Sequence, residues 1–69
     1  MKKEDAVEIK ERGLKAVQEL SAILVFIRGR CSDEEFQKVK RGVGLSIGRI
    51  QTELLDLIYS EHPDLSDLK

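Results

Sequence analysis

Apolar residues recur at helical spacing along the second half of the chain. The positions that share this spacing are Phe36, Val43, Ile47, Ile50, Leu54 and Leu57. Steps of three, four and seven residues place these side chains on one face of an amphipathic α-helix. The glycines Gly42, Gly44 and Gly48 lie inside this pattern, although a glycine in a helix interior costs about 1 kcal/mol relative to alanine. We therefore expect a second helix to approach closely there, and a kink or a ligand lying against the glycines is the alternative.

The first half of the chain carries a similar stripe, whose members alternate in steps of three and four residues. They are Ala6, Ile9, Gly13, Ala16, Leu20, Ile23 and Ile27. This rhythm is typical of a helix that packs along a seam. Asp5, with Glu8 three residues later, has the form of a capping box, so the first helix is expected from about residue 5 to about residue 28.

A short turn over residues 29–32 joins the two stripes. Gly29 is expected as the C-terminal cap of the first helix, since glycine tolerates the left-handed conformation that such caps require. Ser32 and Glu35 form a second capping box just before the apolar stripe resumes. A link this short predicts that the two helices run antiparallel as a hairpin.

The second helix is expected over about residues 33–61, because Pro63 disfavours helical backbone at the residue before it. Residues 62–69 then form a tail. Two interpretations of the tail stay open: Leu65 and Leu68 pack against the end of the helices, or the tail is mobile.

If the chain folds back at the turn, the two apolar stripes face each other along a seam. In the half of the seam far from the turn, small residues of the first helix then pair with large residues of the second. The expected pairs along the seam are Ile27–Phe36, Leu20–Val43, Ala16–Ile47, Gly13–Ile50, Ile9–Leu54 and Ala6–Leu57. Such size matching is how interdigitated layers are filled. The predicted fold class is therefore all-α, with residues 1–69 forming a single helical-hairpin domain.

Two helices alone leave one long side of each apolar stripe in water. The flanking residues expected on that side are Leu14, Val17, Ser21 and Leu24 on the first helix and Gly44, Gly48, Gln51 and Leu55 on the second. A second copy of the chain is the simplest cover, which predicts a homodimer that forms an antiparallel four-helix bundle with two-fold symmetry. The length of 69 residues favours this arrangement, because a single core of that size is marginal.

Composition narrows the function classes. A net charge of −1 gives no global field that attracts nucleic acid or an anionic membrane. Cys31 is the only cysteine, so no intrachain disulfide forms and a reducing compartment is expected. No signal peptide is visible after Met1, and the apolar run 22–27 is far shorter than the roughly 20 residues that span a bilayer. A cytoplasmic protein that does not enter membranes is the expectation.

No catalytic, cofactor or metal site is predicted. Cys31 and His62 fall at opposite ends of the second helix, which excludes a Cys–His pair within one hairpin. Cys31 is expected to pack on Phe36 as a hydrophobic staple, with redox or catalytic work as the alternative. The glycines lack the preceding strand and the lysine of a phosphate-binding loop. Arg49 and Glu53 are expected to form an ordinary i,i+4 surface pair.

The sequence predicts no catalytic, cofactor or metal site, and one hairpin leaves part of its apolar helix surface exposed. These two features together predict a small non-enzymatic interaction or regulatory module that acts as a helical-bundle homodimer. Its unidentified protein partner is expected to contact an apolar spot near the turn and the basic residues around it. This partner surface comprises Ala22, Phe26, Arg30, Lys38 and Arg41. The alternative is a nucleic-acid-binding regulator. It would use the basic turn region, which comprises Arg28, Arg30, Lys38 and Arg41.

Overall fold

A computed structural model of the chain describes residues 1–66, and every regular element in that part of the chain is helical. The elements in chain order are α1 (Lys3–Ile27), α2 (Asp33–Arg49), a π-helix (Ile50–Leu55), α3 (Asp56–Glu61) and a 3₁₀ turn (Pro63–Leu65). The backbone stays helical where α2 meets the π-helix and where the π-helix meets α3. The prediction of an all-α fold with two long helical segments is confirmed.

α1 begins at Lys3, two residues before the predicted start. The capping box predicted for Asp5 is wrong, because Lys2 occupies the cap position and no side chain caps the helix there. Asp5 lies instead inside the first turn beside Glu4. Carboxylates at that position stabilise the helix through its dipole, which explains why the helix starts without a side-chain cap.

The connection between the helices is a type II turn. Arg28 has φ −61° and ψ 127°, Gly29 has φ +79°, and the Arg30 N–H donates to the Ile27 carbonyl oxygen at 2.9 Å. The third residue of this turn requires a positive φ, which glycine adopts without strain. Gly29 has the positive φ expected of it, but the cap position of α1 is occupied by Arg28 in extended conformation, so Gly29 shapes the turn and does not cap the helix.

The capping box at the start of α2 is also confirmed. The Ser32 hydroxyl oxygen accepts from the Glu35 N–H at 3.1 Å, and the Glu35 carboxylate accepts from the Ser32 N–H at 3.0 Å. Two backbone N–H groups that a helix N-terminus leaves unpaired, those of Ser32 and Glu35, are thereby satisfied. α2 therefore begins at Asp33.

The two helical segments lie side by side and antiparallel, since α1 contacts α2, the π-helix and α3 in turn. The seam between them is narrow. Its buried residues are Ala6, Gly13, Val43, Leu55 and Ile58. Gly13 is buried because the Leu55 side chain covers it: a Cβ added at Gly13 would lie 3.0 Å from Leu55 Cδ2 and 3.5 Å from Leu54 Cδ2.

The π-helix shifts the phase of the seam by one residue, and this corrects the predictions for Leu57 and Leu55. A π-turn contains one more residue than an α-turn, so each residue after it is rotated relative to an unbroken α-helix. The side chains that face α1 are therefore Leu55 and Ile58 in place of Leu54 and Leu57. Leu57, predicted opposite Ala6, is 46% exposed. The prediction for Gly13 is wrong for a different reason: its nearest side chains are those of Leu55 and Leu54 and not that of Ile50, so the two helices pair about one helical turn out of the predicted register. Leu55, predicted at an interface between copies, is 3% exposed and belongs to the core of its own chain.

The shifted phase also keeps a carboxylate off the seam. An uninterrupted α-helix would carry the buried line from Leu54 through Leu57 to Glu61. With the π-helix in place, Glu61 lies outside the seam, and its Oε1 pairs with the Met1 ammonium at 3.2 Å. Burying an unpaired carboxylate is strongly unfavourable, whereas Ile58 fills the seam at no such penalty.

The end of the chain folds back onto the start of α1 in what we call the terminal clasp. Lys3 pairs with Asp64, Lys10 Nζ donates to the Leu65 carbonyl oxygen at 2.5 Å, and His62 Nε2 lies 3.2 Å from the Met1 carbonyl oxygen. Of the two interpretations of the tail, packing describes residues 62–66. Leu68 lies outside the described residues.

The molecule is a rod of 45 × 21 × 16 Å. Its radius of gyration is 14.7 Å, whereas a compact domain of this length would have about 11 Å. Its accessible surface is 5439 Å², whereas a compact monomer of 7.8 kDa would expose roughly 4,400 Å². The single chain therefore exposes about 1,000 Å² more than its mass requires.

Candidate interaction surfaces

The hairpin has two broad faces on either side of the seam. Gly13 of α1 and Val43 of α2 lie in the seam and are buried. An α-helix turns about 100° per residue. Both helices are right-handed, and they run in opposite directions. As a result, the residue that follows a seam residue in α1 and the residue that follows a seam residue in α2 lie on the same face of the hairpin. Leu14 and Gly44 therefore share one face, and the residues before the seam positions share the other.

We call the first of these surfaces the glycine face. Its residues between positions 14 and 51 are Leu14, Val17, Gln18, Ser21, Leu24, Val25, Gln37, Lys40, Gly44, Gly48 and Gln51. Lys40 is the charged residue on this stretch, and Arg41 lies at its outer edge, although 36% of the whole chain is charged. The face is therefore built of glycine, small polar, amide and aliphatic side chains.

The opposite surface is the charged face. Its residues include Glu8, Arg12, Glu19, Lys38, Gly42, Arg49 and Glu53. Arg12 Nε donates to Glu8 at 2.6 Å, and Arg49 Nε pairs with Glu53 at 2.6 Å, as predicted for the second pair. The hydrogen bond to Glu8 raises the pKa of Arg12. Both ion pairs on this face are exposed to solvent.

The glycine face is open to solvent in the single chain. Leu14 is 38% exposed and Val25 is 77% exposed. A Cβ added at Gly44 or Gly48 would meet nothing within 4 Å. All of the interface residues predicted from the sequence except Leu55 lie on this face. The sequence prediction missed Val25, whose position on the apolar last turns of α1 could have revealed it.

Exposed apolar side chains also gather at the turn end of α1. Val25 is 77% exposed, Phe26 is 62% exposed and Ile23 is 40% exposed, with Ala22 exposed beside them. The Arg30 guanidinium stacks over the Phe26 ring at 4.7 Å from its centre. This cation–π contact holds the Arg30 charge against the ring, and sequence reasoning did not find it.

The predicted partner surface is brought together only in part. Ala22, Phe26 and Arg30 lie at one end of α1 and in the adjoining turn. Lys38 and Arg41 are exposed on α2, Lys38 on the charged face and Arg41 at the outer edge of the glycine face. The basic residues of the turn region are thus distributed over both faces of the hairpin.

The titratable side chains singled out for chemistry stay apart. Cys31 Sγ lies 3.9 Å from the Ile27 carbonyl oxygen in the turn. His62 lies at the other end of the rod in the terminal clasp. Within residues 1–66, no group of three or more His, Cys, Asp or Glu residues is arranged to hold a metal ion. A shallow groove on α1 is lined by Glu8, Glu11, Arg12 and Lys15, and it is open to solvent.

None of the helices in the described part of the chain combines the length and the apolar character needed to cross a membrane. No known protein family matches the sequence, and neither a curated protein nor a solved structure shows significant similarity to it.

Proposed function

We propose that this chain is a non-enzymatic interaction module that works as a homodimer, in which two hairpins pack glycine face against glycine face to form a four-helix bundle. The observation that carries the proposal is the glycine face itself. It combines Gly44 and Gly48, where an added Cβ would meet nothing within 4 Å, with the exposed aliphatic side chains of Leu14 and Val25. Small residues spaced four apart let two helix backbones approach closely.

The surface area of the chain supports the proposal. Each chain exposes about 1,000 Å² more than a compact monomer of its mass. A stable protein–protein interface buries roughly 800 Å² on each partner. The excess surface therefore matches what one such interface removes from water.

The thinness of the core supports it as well. Ala6, Val43, Leu55 and Ile58 are the buried hydrophobic residues of the described chain. Domains of this size rarely draw enough stability from one core, and oligomerisation is a common remedy. Packing a second hairpin on the glycine face would bury Leu14 and Val25 and would enclose the half-buried Val17 and Leu24.

The test compares leucine substitutions at matched glycines. Gly44→Leu places a large side chain between the two backbones, and we expect it to reduce the mass in solution to that of one chain. Gly42→Leu lies on the charged face, and its Cβ likewise has open space around it. We expect this variant to remain dimeric. Light scattering over a concentration series gives the mass, and circular dichroism confirms that both variants are helical.

Any other pattern would overturn the proposal. If both variants keep the mass of the unmodified protein, the glycine face is not the interface. If Gly42→Leu dissociates the dimer while Gly44→Leu does not, the charged face is. Binding of RNA or DNA that falls steeply with salt, and that is lost in Lys38→Glu and Arg41→Glu, would favour the nucleic-acid alternative. The cytoplasmic location stays a prediction.

A further inference from the structure

We infer that the second copy packs antiparallel to the first, so that the turn end of one hairpin lies over the terminal end of the other. This inference rests on the proposed function, because it names the orientation of the partner that the glycine face receives. A homodimer with both turns at the same end would bury the same face. The distribution of charge along the rod decides between the two arrangements.

The two ends of the rod carry opposite excess charge. Residues 28–41, at the turn end, contain five Lys or Arg and three Asp or Glu. Residues 1–12 together with 53–66, at the terminal end, contain four Lys or Arg and eight Asp or Glu. The turn end is therefore net positive and the terminal end net negative along a rod that is 45 Å long.

Contacts within the chain leave this asymmetry in place. At the turn end, Glu35 is engaged by the capping box of its own helix. Arg28, Lys38 and Arg41 form no ion pair with any part of the chain that the structure describes. At the terminal end, Lys3, Arg12 and the Met1 ammonium are paired with Asp64, Glu8 and Glu61. The carboxylates that form no ion pair within residues 1–66 are Glu4, Asp5, Glu11 and Asp56. Unpaired basic groups at the turn end are thus matched by unpaired carboxylates at the terminal end.

One pair of charged residues on the glycine face follows the same distribution. Lys40 is exposed on this face near the turn, and Asp56 is exposed on the same side near the terminal end once the phase shift of the π-helix is included. Antiparallel packing brings Lys40 of each copy toward Asp56 of the other. Parallel packing brings the two Lys40 side chains together, which is unfavourable at close range.

The single cysteine provides a direct test of orientation. Cys31 lies at the turn end, 15 residues from the midpoint between Gly44 and Gly48. At 1.5 Å per residue, two spin labels on Cys31 would stand about 40–45 Å apart in the antiparallel dimer. In the parallel dimer they would lie within roughly 20 Å, because packed helices are about 8–10 Å apart. Electron–electron dipolar spectroscopy measures this distance.

We expect a single long distance. A short distance would overturn the orientation and leave the dimer itself intact. No dipolar coupling at any concentration would mean a monomer, which overturns the proposed function and this inference together. Since Cys31 is half-buried, the measurement is repeated with the label on the exposed Glu34→Cys in a Cys31→Ser background, where the same two ranges stay well separated.

A charge exchange gives an independent readout. We expect Lys40→Glu to weaken dimerisation and Asp56→Lys to weaken it as well, because each places like charges together. The double variant Lys40→Glu/Asp56→Lys should regain most of the affinity, since the pair is restored in reversed form. Strengthening of the dimer by the neutral variant Lys40→Gln would contradict the inference, because removal of this charge relieves repulsion only if the two Lys40 side chains lie together.

Discussion

Gly13 and the pair formed by Gly44 and Gly48 occupy contrasting regions of the same hairpin. In the seam, the Leu55 side chain lies so close to Gly13 that an added Cβ would stand 3.0 Å from it. On the glycine face, an added Cβ at Gly44 or Gly48 meets nothing within 4 Å. The chain itself thus explains why Gly13 lacks a side chain, whereas it offers no reason for the other two.

This difference carries a physical consequence. Each glycine inside a helix costs about 1 kcal/mol relative to alanine, wherever it lies. At Gly13 the close packing of Leu55 offsets that penalty within the chain. At Gly44 and Gly48, as at Gly42, no contact within the chain offsets the penalty. A second backbone at close range offsets it at Gly44 and Gly48 under the proposed function.

The largest expected effect tests which residues fill the seam. Ile58→Ala removes a side chain that is 0% exposed, and we expect the free energy of unfolding to fall by about 2–5 kcal/mol. Leu57→Ala is the matched control, because Leu57 is its chain neighbour and is 46% exposed. We expect the control to change stability by less than about 0.5 kcal/mol. Chemical denaturation at one fixed protein concentration measures both values, and a reversed order would show that the helix lacks the phase shift of the π-helix.

A second prediction concerns the seam glycine. Gly13→Leu forces additional atoms against Leu54 and Leu55, and we expect it to destabilise the fold by about 1–3 kcal/mol. Gly42→Leu, in open space on the charged face, should not destabilise the hairpin. Thermal unfolding followed by circular dichroism compares the two variants. Equal melting temperatures would mean that the seam does not close on Gly13.

These two predictions show what the sequence could and could not reveal. The helical stripes, the capping box at Ser32 and the positive φ of Gly29 follow from local residue patterns, and those predictions are confirmed. The π-helix does not follow from such patterns, because a 3.6-residue period assumes unbroken α geometry. The sequence carries one indication of the π-helix, which is the pair of doublets Leu54–Leu55 and Leu57–Ile58. Each doublet offers an aliphatic residue to the seam whether or not the helix is shifted by one residue.

The candidate site was predictable to a similar degree. Residue spacing alone is enough to predict that Leu14, Ser21, Gly44 and Gly48 share a face. These residues precede the π-helix, so the regular α-helical period applies to all of them. Leu55 was misplaced because it follows the phase shift. The stacking of Arg30 on Phe26 depends on the path of the turn, which local pattern does not specify.

A smaller change in stability is expected at Gly42, and it tests whether the charged face is exposed to solvent. Gly42→Ala adds a methyl group that meets nothing within 4 Å, so the gain in helix propensity should appear as a rise of up to about 1 kcal/mol in the free energy of unfolding. Denaturant titration with an unchanged m-value would establish this gain. A loss of stability would mean that the Gly42 position is covered, contrary to the assignment of this face to solvent.

The smallest expected effect concerns the terminal clasp. The hydrogen bond from Lys3 lowers the pKa of Asp64 below its ordinary value of 3.8. Because the folded-state pKa lies below the unfolded one, the pair stabilises the fold above about pH 3.8, and this contribution is lost as the pH falls through the lower folded-state pKa. In Lys3→Gln, the pKa of Asp64 should rise toward its ordinary value in an NMR titration. Both side chains are more than half exposed, so the change in stability should be small. An unchanged pKa would show that the clasp is open in solution.

The most direct test of the glycine face is the mass of the unmodified chain in solution. Sedimentation equilibrium across a micromolar concentration series measures it without substitution or label. We predict a weight-average mass that approaches twice 7.8 kDa as the concentration rises. A mass that stays at 7.8 kDa throughout would contradict the proposal that a second copy covers this face.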